Sequence, residues 1–482
     1  MSAPEPADYP KEIGSEREFN LNNQTWFAEI SGDSNPIHLD AVAARRTLAG
    51  RPIVHGIHIL LWTLNSYFSS KKVEAPAVRW LRADFENMLP LHQRVRVRLD
   101  RETADETCLV AMTDDLVAVR VWIGFGAIDS TTRKNLDAGH LYAPREPLVH
   151  FIHEMQDLKG EIATVSAAAE GFPDVTRVLG KNRTAALARS SYLVGMVCPG
   201  MHSIYKRLSL KAAVDKSGEE LLAFEVKSTD TRFGLVRQSF EGGGWSGEID
   251  SILRPAPVQQ RSVSSLTGLI PPTEFRHSSV LVIGGSRGLG ELIAKVLATG
   301  GAQVTITFQT GKADALRVQS EIIEHYPSCC EVIEYDIAKE PEPQLRPIKQ
   351  APTHVYYMAT PKIFAKRRLP IDYQQFRDFL SFYVFGFNAL VDTFRAAASV
   401  PTFFYPSSVL AEDLASHFSE YSMAKLAGEM LCENLRANHN ASIVYERLPG
   451  LPTDQTQSLL EMQVQDPIDI LLPLIRAVQS KG

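Results

Sequence analysis

An apolar run, Val280-Leu-Val-Ile283, passes without a break into Gly284-Gly-Ser-Arg-Gly-Leu-Gly290. Few local patterns restrict a fold more. An unbroken apolar run ahead of such a turn reads as a strand buried on both faces. The glycines let the chain reverse tightly and enter a helix at Glu291–Ala298. From there, apolar strands alternate with longer amphipathic stretches to the end of the chain. That βα alternation predicts a parallel, doubly wound sheet. The spacing Gly284-x-x-x-Gly288-x-Gly290 also lets backbone N–H groups approach a pyrophosphate at the helix N-terminus.

One helical turn separates Tyr421 from Lys425 in Tyr421-Ser-Met-Ala-Lys425, which puts both on one helix face. A lysine ammonium placed there lowers the pKa of the phenol, and the phenol can pass a proton to a nascent alkoxide. Ser408 follows the apolar run Phe403–Tyr405 and is placed to orient a carbonyl. Together with the glycine turn, these residues can move hydride to or from a carbonyl carbon.

Over about residues 277–460 this combination resembles the short-chain dehydrogenase/reductase family. The resemblance implies a Rossmann-type domain with Ser408, Tyr421 and Lys425 as catalytic residues. It implies a dinucleotide held by Gly284, Ser286, Arg287, Gly288, Leu289 and Gly290, with Asp336 at the adenine. Ala359, Lys425, Pro449, Gly450 and Thr453 complete that cofactor set. Three positions depart from the family pattern: Ile283 stands for threonine, Tyr357-Met-Ala-Thr360 for Asn-Asn-Ala-Gly, and Tyr383 for the helix asparagine of the proton relay. The relay is therefore altered. Val304-Thr-Ile-Thr-Phe308 ends in Gln309-Thr-Gly-Lys312, with no acid to hold an NAD ribose or to repel a 2′-phosphate. Arg287 and Lys312 can attract that phosphate, so NADPH is expected over NAD. The plainer role for both cations is that of solvated surface charges.

Near the other end, Phe27-Ala-Glu-Ile-Ser-Gly-Asp-Ser-Asn-Pro-Ile-His38 brings an acid, a turn and a histidine close together. The residue before a proline is pushed out of the helical region, so Asn35-Pro36 forces a turn that can bring Asp33 and His38 to one point. Two such groups can grip a water and add it to, or remove it from, a carbon–carbon double bond. Val54–Phe68 is apolar on nearly every side and predicts a helix buried all round. Strand-like stretches follow at Arg94–Leu99, Cys108–Met112 and Val117–Gly126. A long helix wrapped by an antiparallel sheet is a hot dog.

The segment Phe27–Gly56, with Arg51-Pro-Ile-Val-His-Gly56 at its end, resembles the MaoC-like R-specific enoyl hydratases. The resemblance implies that Asp33 and His38 are the catalytic dyad and that Gly56 lends its backbone N–H to a thioester oxygen. The family's serine, about two turns into the helix, falls by spacing on Leu64, with Thr63 beside it. Residues 145–255 read as a weaker second copy. Gly200-Met-His-Ser-Ile204 echoes Gly56-Ile-His-Ile-Leu60, and strand-like runs follow at Leu208–Val214, Leu221–Val226 and Leu235–Phe240. The copy has no acid and histidine motif; Leu179-Gly-Lys-Asn-Arg-Thr is its nearest stretch. It is expected to complete the sheet and shape an acyl pocket without taking part in catalysis.

The expected organisation is a catalytic hot dog over 1–144, a degenerate one over 145–255, a polar, proline-punctuated linker over 256–276, and the reductase over 277–482. A net charge of −6 and a pI near 6.1 give no basic footprint for nucleic acid. Apolar runs such as Ile57–Leu64 are too short to span a bilayer. The acidic, proline-bearing Met1–Pro6 opening lacks a signal-peptide apolar region. Cys108, Cys198, Cys329, Cys330 and Cys432 lack metal-ligand spacing, so no metal is expected and a reducing cytoplasm is. His58 and His202 read as hydrogen-bonded core histidines and Cys198 as a small buried hydrophobe.

A 3-hydroxyacyl group is the product of ketoreduction and the substrate of dehydration. The expected function is therefore reduction of a 3-oxoacyl thioester by NADPH, then loss of water from the (R)-3-hydroxyacyl form. The thioester is carried by CoA or a carrier protein, and the expected assembly is a homodimer. Three alternatives fit the same residues: the catabolic direction, a non-catalytic hot dog that only binds the acyl chain, and a silent dinucleotide sensor in place of the reductase.

Overall fold

The computed structural model describes residues 11–47, 49–71, 77–114, 116–128, 139–213, 221–363, 371–395, 399–412, 418–454 and 465–481. Met1–Pro6 and Val214 lie outside them. The chain divides into two compact units that meet in sequence at Ala256 and Pro257. Among the described residues no helix is long and apolar enough to cross a membrane.

The first unit is built on one eleven-stranded sheet. Its strands are β1 (Lys11–Glu18), β2 (Val78–Phe85), β3 (Arg94–Glu102), β4 (Glu106–Met112), β5 (Val117–Phe125) and β6 (His140–Leu141), then β7 (Lys159–Ala163), β8 (Ser203–Ala212), β9 (Leu221–Asp230), β10 (Leu235–Gly242) and β11 (Trp245–Leu253). They lie in the order β1-β3-β4-β5-β2-β8-β11-β10-β9-β7-β6. Each half contributes its own strands, and the antiparallel pair β2·β8 joins them, with Leu81 opposite Leu210 and Ala83 opposite Leu208. In β2, Leu81, Ala83 and Phe85 are buried while the residues between them are half-exposed, so period-two alternation sets which face meets the core.

Each half also lays a helix into this unit's core. Gly56–Ser70 buries every residue from Ile57 to Leu64, together with Tyr67 and Phe68. Its counterpart, Lys181–Tyr192, runs directly into a π-helical turn at Leu193–Val197, and all of it from Thr184 onward is buried. The echo at Gly200 does not begin a helix. Met201 and His202 form a turn and Ser203 opens β8, so the second helix precedes the predicted one. Alanines 185, 186 and 188 and serines 190 and 191 let this helix pack closely despite a polar-looking sequence. His58 departs from expectation as well. It is buried against Phe27, ring centroids 4.7 Å apart, but neither ring nitrogen has a hydrogen-bond partner among the described residues.

The second unit carries six parallel strands: β12 (Ser279–Ile283), β13 (Gln303–Phe308), β14 (Cys330–Glu334), β15 (His354–Tyr357), β16 (Thr402–Ser408) and β17 (Ile443–Leu448). Their order is β14-β13-β12-β15-β16-β17. This is the Rossmann arrangement, in which the order reverses between β12 and β15 and opens a crevice at their C-terminal ends. Apolar cores line both faces of the sheet, one against Gly288–Thr299 and Pro467–Gln479, the other against Phe387–Arg395 and Ser419–His439. The expected linker is not a free tether. Val263, Leu266, Ile270 and Phe275 are buried in the core of this unit, because its polar residues alternate with apolar ones that find a place beside the first Rossmann helix.

Candidate active sites

In the first unit, Asn20 caps the helix Leu21–Ser31, and Gly32 ends it in the left-handed region at φ 81°. This tight exit places Asp33 inside the fold at 2% exposure. Asn35 then caps the next short helix, with Pro36 at its first position, and so presents His38. Carboxylate and ring atoms of Asp33, His38 and His55 all lie within 4.8 Å of one another. His38 Nδ1 contacts the Ile53 carbonyl at 2.9 Å, which leaves Nε2 of a neutral ring free to act as a base. His55 stacks on His38 with ring centroids 3.7 Å apart. Its own nitrogens face carbonyl oxygens of Gln24, at 2.8 Å, and of Asp33, at 3.0 Å. Those contacts make His55 a support for the dyad rather than an open metal ligand.

Asp33 is held from the second half of the sheet. Ser191 Oγ donates to Asp33 Oδ2 at 2.6 Å, and the Asn35 amide donates to Oδ1 at 3.2 Å. Asn35 Nδ2 donates in turn to the Gly195 carbonyl at 2.8 Å. Burial pushes the Asp33 carboxyl above the usual carboxylate range, opposed by His38, Ser191 and Asn35. Burial likewise holds the His38 imidazole below its usual value, opposed by Asp33. Gly56 opens the buried helix, where first-turn N–H groups lack intrahelical acceptors. Its amide has none among the described residues. The neighbours at the serine position give no help: Leu64 is buried, and the Thr63 hydroxyl bonds its own helix at Ile59.

In the second unit, Gly284 at the end of β12 has φ 82° and Gly288 has φ 58°, both in the left-handed region. A Cβ at Gly284 would lie 2.9 Å from the Ala359 amide nitrogen, and one at Gly290 would lie 2.2 Å from the Gly284 carbonyl oxygen. Only glycine allows turn and helix to approach this closely. Arg287 caps the helix Gly288–Thr299, so the amides of Gly288, Leu289 and Gly290 face outward from its first turn. Ser286 is buried in the turn, and Thr453 lies beside Gly288. Pro449 and Gly450 follow β17. Gln309, at the end of β13, donates to Asp336 at 3.0 Å, and Lys312 is exposed. Arg287 is not simply solvated, since its guanidinium lies 3.7 Å from the Asp454 carboxylate.

Ser408, Tyr421 and Lys425 come together at the end of β16 and on the helix Ser419–His439, all largely buried. The Tyr421 phenol is not lowered as the lysine spacing leads one to expect. Burial raises the Tyr421 phenol, partly offset by a hydrogen bond with Ser408. Lys425 instead donates to the Pro406 carbonyl at 2.6 Å and lies 5.7 Å from the Tyr421 ring centroid. Burial pulls its own pKa down to about 7. At the departures from the family pattern, the Tyr383 hydroxyl pairs with Thr360. The Tyr357 hydroxyl donates at 2.6 Å to the Phe382 carbonyl, within the π-helical turn Ser381–Gly386. The Met358 amide donates to the Ile283 carbonyl at 2.8 Å, so the three substituted positions form a connected set.

Residues 10–118 match the family described as MaoC like domain. The likeness to a MaoC-like domain is thus confined to residues 10–118. No curated protein matches the chain in sequence. Solved structures similar to the chain include a short chain dehydrogenase from Salmonella enterica serovar Typhi, 18% identical, with a TM-score of 0.38 over 43% of this chain and 93% of that one. An oxidoreductase from Escherichia coli is 18% identical, with a TM-score of 0.39 over 43% and 91%. L-sorbose reductase from Gluconobacter frateurii, solved with NADPH and L-sorbose, is 16% identical, with a TM-score of 0.33 over 37% and 72%.

Of four further residues around Asp33 and His38, Gln24, Ser191 and Gly195 carry no local signature of a role, and His55 carries a single one. His55 stands next to Gly56 in the motif, and that adjacency is its one sequence signal. Ser191 is reached only through the pairing of the two halves, which no short pattern encodes.

Proposed function

We propose that the protein acts at the β-carbon of an acyl thioester in two consecutive steps, ketoreduction with NADPH and loss of water from the resulting (R)-3-hydroxyacyl group. The observation that carries this reading is the convergence of Asp33 and His38 in the MaoC-like domain, whose buried helix opens at Gly56 with an amide that has no partner among the described residues. Asp33 and His38 hold the departing or attacking water and shuttle the α-proton. The Gly56 amide meets the negative charge that develops on the thioester oxygen, where a fixed donor costs no reorganisation. We read the two helix-bearing halves of the sheet as a double hot dog.

The second unit fits a dinucleotide: the Gly284–Gly290 turn offers outward amides for a pyrophosphate, and Gln309 stands where an acid would repel a 2′-phosphate. When bound, NADPH supplies hydride to the carbonyl carbon. Ser408 orients the carbonyl oxygen, Tyr421 gives it a proton, and Lys425 holds the cofactor side of the site. Gly284, Ser286, Gly288, Leu289 and Gly290 receive the phosphates, with Arg287 toward the 2′-phosphate and Asp336 toward the adenine.

Mass analysis of products from a panel of 3-oxoacyl-CoA and carrier-bound substrates with NADPH tests the reading. Gain of two hydrogens followed by loss of one water supports it; a product that is reduced but never dehydrated overturns it. A second reading rests on Tyr383, whose paired hydroxyl lies within the altered relay. In that reading the MaoC-like domain hydrates and the second unit binds dinucleotide without turnover. Hydration of an enoyl thioester with no reduction of any 3-oxo substrate is its signature.

A further inference from the structure

We propose that Ser191 is a positioning residue for hydration, so that the half of the sheet without the acid and histidine motif completes the site of the other half. The proposal rests on the assignment of Asp33 as a reacting carboxylate. In the first half, no hydroxyl reaches the dyad from the buried helix: Leu64 occupies the relevant turn, and Thr63 is spent on Ile59. The second half supplies what is missing. Ser191 Oγ lies 2.6 Å from Asp33 Oδ2, within the range of a hydroxyl donating to an ionised carboxylate.

Three further contacts cross between the halves at the same point. Arg189 Nη1 donates to the Ser31 carbonyl at 2.9 Å, two residues before Asp33. Asn35 Nδ2 donates to the Gly195 carbonyl at 2.8 Å. Gly195 itself leaves room for the carboxylate, since a Cβ there would lie 2.3 Å from Asp33 Oδ1. Gly195 sits in the π-helical turn Leu193–Val197, which follows the helix bearing Ser191. Such turns inside helices recur at functional sites because the extra residue re-aims the backbone.

The physical role follows from burial. A carboxylate at 2% exposure loses the water that would keep it charged. Charge-assisted donors restore that charge and fix the rotamer, so that Asp33 faces His38 rather than the core. Within the dyad Ser191 hydrogen-bonds Asp33, and its effect on the reaction passes through that carboxylate.

The test compares the full-length wild type with Ser191→Ala and Ser191→Thr. Hydration is measured across pH, NADPH-dependent ketoreduction serves as the internal control, and the carboxyl carbon of Asp33 is titrated by NMR, assigned with Asp33→Asn. Ser191→Ala is expected to lower kcat for hydration at least tenfold with little change in KM. It is also expected to move the acidic limb and the Asp33 titration upward by about one pH unit. Ser191→Thr, which keeps the hydroxyl, restores both. An unmoved Asp33 titration overturns the proposal, as does a loss of hydration with an unchanged acidic limb. If the wild type hydrates nothing while the titration moves as expected, the reading of the reaction fails and the positioning of Asp33 by Ser191 stands.

Discussion

The ammonium of Lys425 lies 3.8 Å over the ring of Tyr383 and donates to the Pro406 carbonyl at 2.6 Å. These partners satisfy the group with no carboxylate at hydrogen-bonding distance among the described residues, and burial brings its pKa down to about 7 from the usual 10.5. Between those values the unfolded chain holds a proton that the folded one has lost. Stability therefore rises with pH across this window, by at most about 1.4 kcal/mol per pH unit from this group. Below it the full cost of burying the charge is present. Denaturant midpoints of wild type and Lys425→Met, measured across the window, should differ in slope; parallel curves would remove the claim.

Asp33→Asn and His38→Ala should each abolish hydration, by about 10²–10⁴-fold, while ketoreduction continues. The dyad and the Tyr421–Lys425 pair belong to separate compact units, so neither change reaches the other site. Assays of both reactions on each variant check this. Equal damage to NADPH oxidation would contradict the two-site assignment.

In the proposed reaction Gly56 acts through its amide, and its side of the helix is crowded. A Cβ there would lie 2.9 Å from Phe85 Cδ1, and the Phe85 ring is itself packed against Tyr205. Gly56→Val should displace the amide and cost about 10²–10³ in kcat for hydration. Full activity in a folded Gly56→Val protein counts against a role for the donor.

Tyr421→Phe should silence ketoreduction by about 10²–10⁴-fold and leave hydration and NADPH binding intact. Tyr383→Phe removes the pairing with Thr360 without touching Tyr421, and should reduce turnover far less. If the order of the two effects is reversed, Tyr383 is the proton donor.

In the proposed dinucleotide site, cofactor choice turns on Arg287 and Gln309. Arg287 shares its charge with Asp454, so Arg287→Ala should weaken NADPH by about 1.5–3 kcal/mol, tenfold or more, and NADH little. Gln309→Asp should also disfavour NADPH. It replaces a hydrogen bond to Asp336 with a like charge, so some loss of stability should accompany it. Titration of both dinucleotides into each protein measures the preference, and tighter NADH in the wild type refutes it.

Much of this architecture could be read locally. The run Val280–Ile283 is β12 and the glycines after it form the turn, because a buried strand and a left-handed turn are both encoded within a few residues. Gly56 opens a buried helix because an unbroken apolar sequence has no solvent face to offer. Asn35-Pro36 brings His38 toward Asp33 for the same local reason.

What sequence alone could not supply depends on contacts between distant segments. The second helix is rich in alanine, serine and basic residues, so no apolar run announces it, and it is buried only because its small side chains meet the other half closely; the echo at Gly200 opens a strand instead. The apparent linker carried apolar residues whose partners lie in the Rossmann core. The effect of Lys425 on Tyr421 depends on where the ammonium finds its acceptor, and that is the Pro406 carbonyl. Asp33 and His38 are neighbours in sequence and announce themselves; Ser191 reaches Asp33 only after β2 and β8 have paired and the two halves share one sheet. Local patterns determine turns and strands because their energetics are settled among near neighbours. Burial, charge state and shared site residues are decided by tertiary structure, since they depend on which distant atoms replace water.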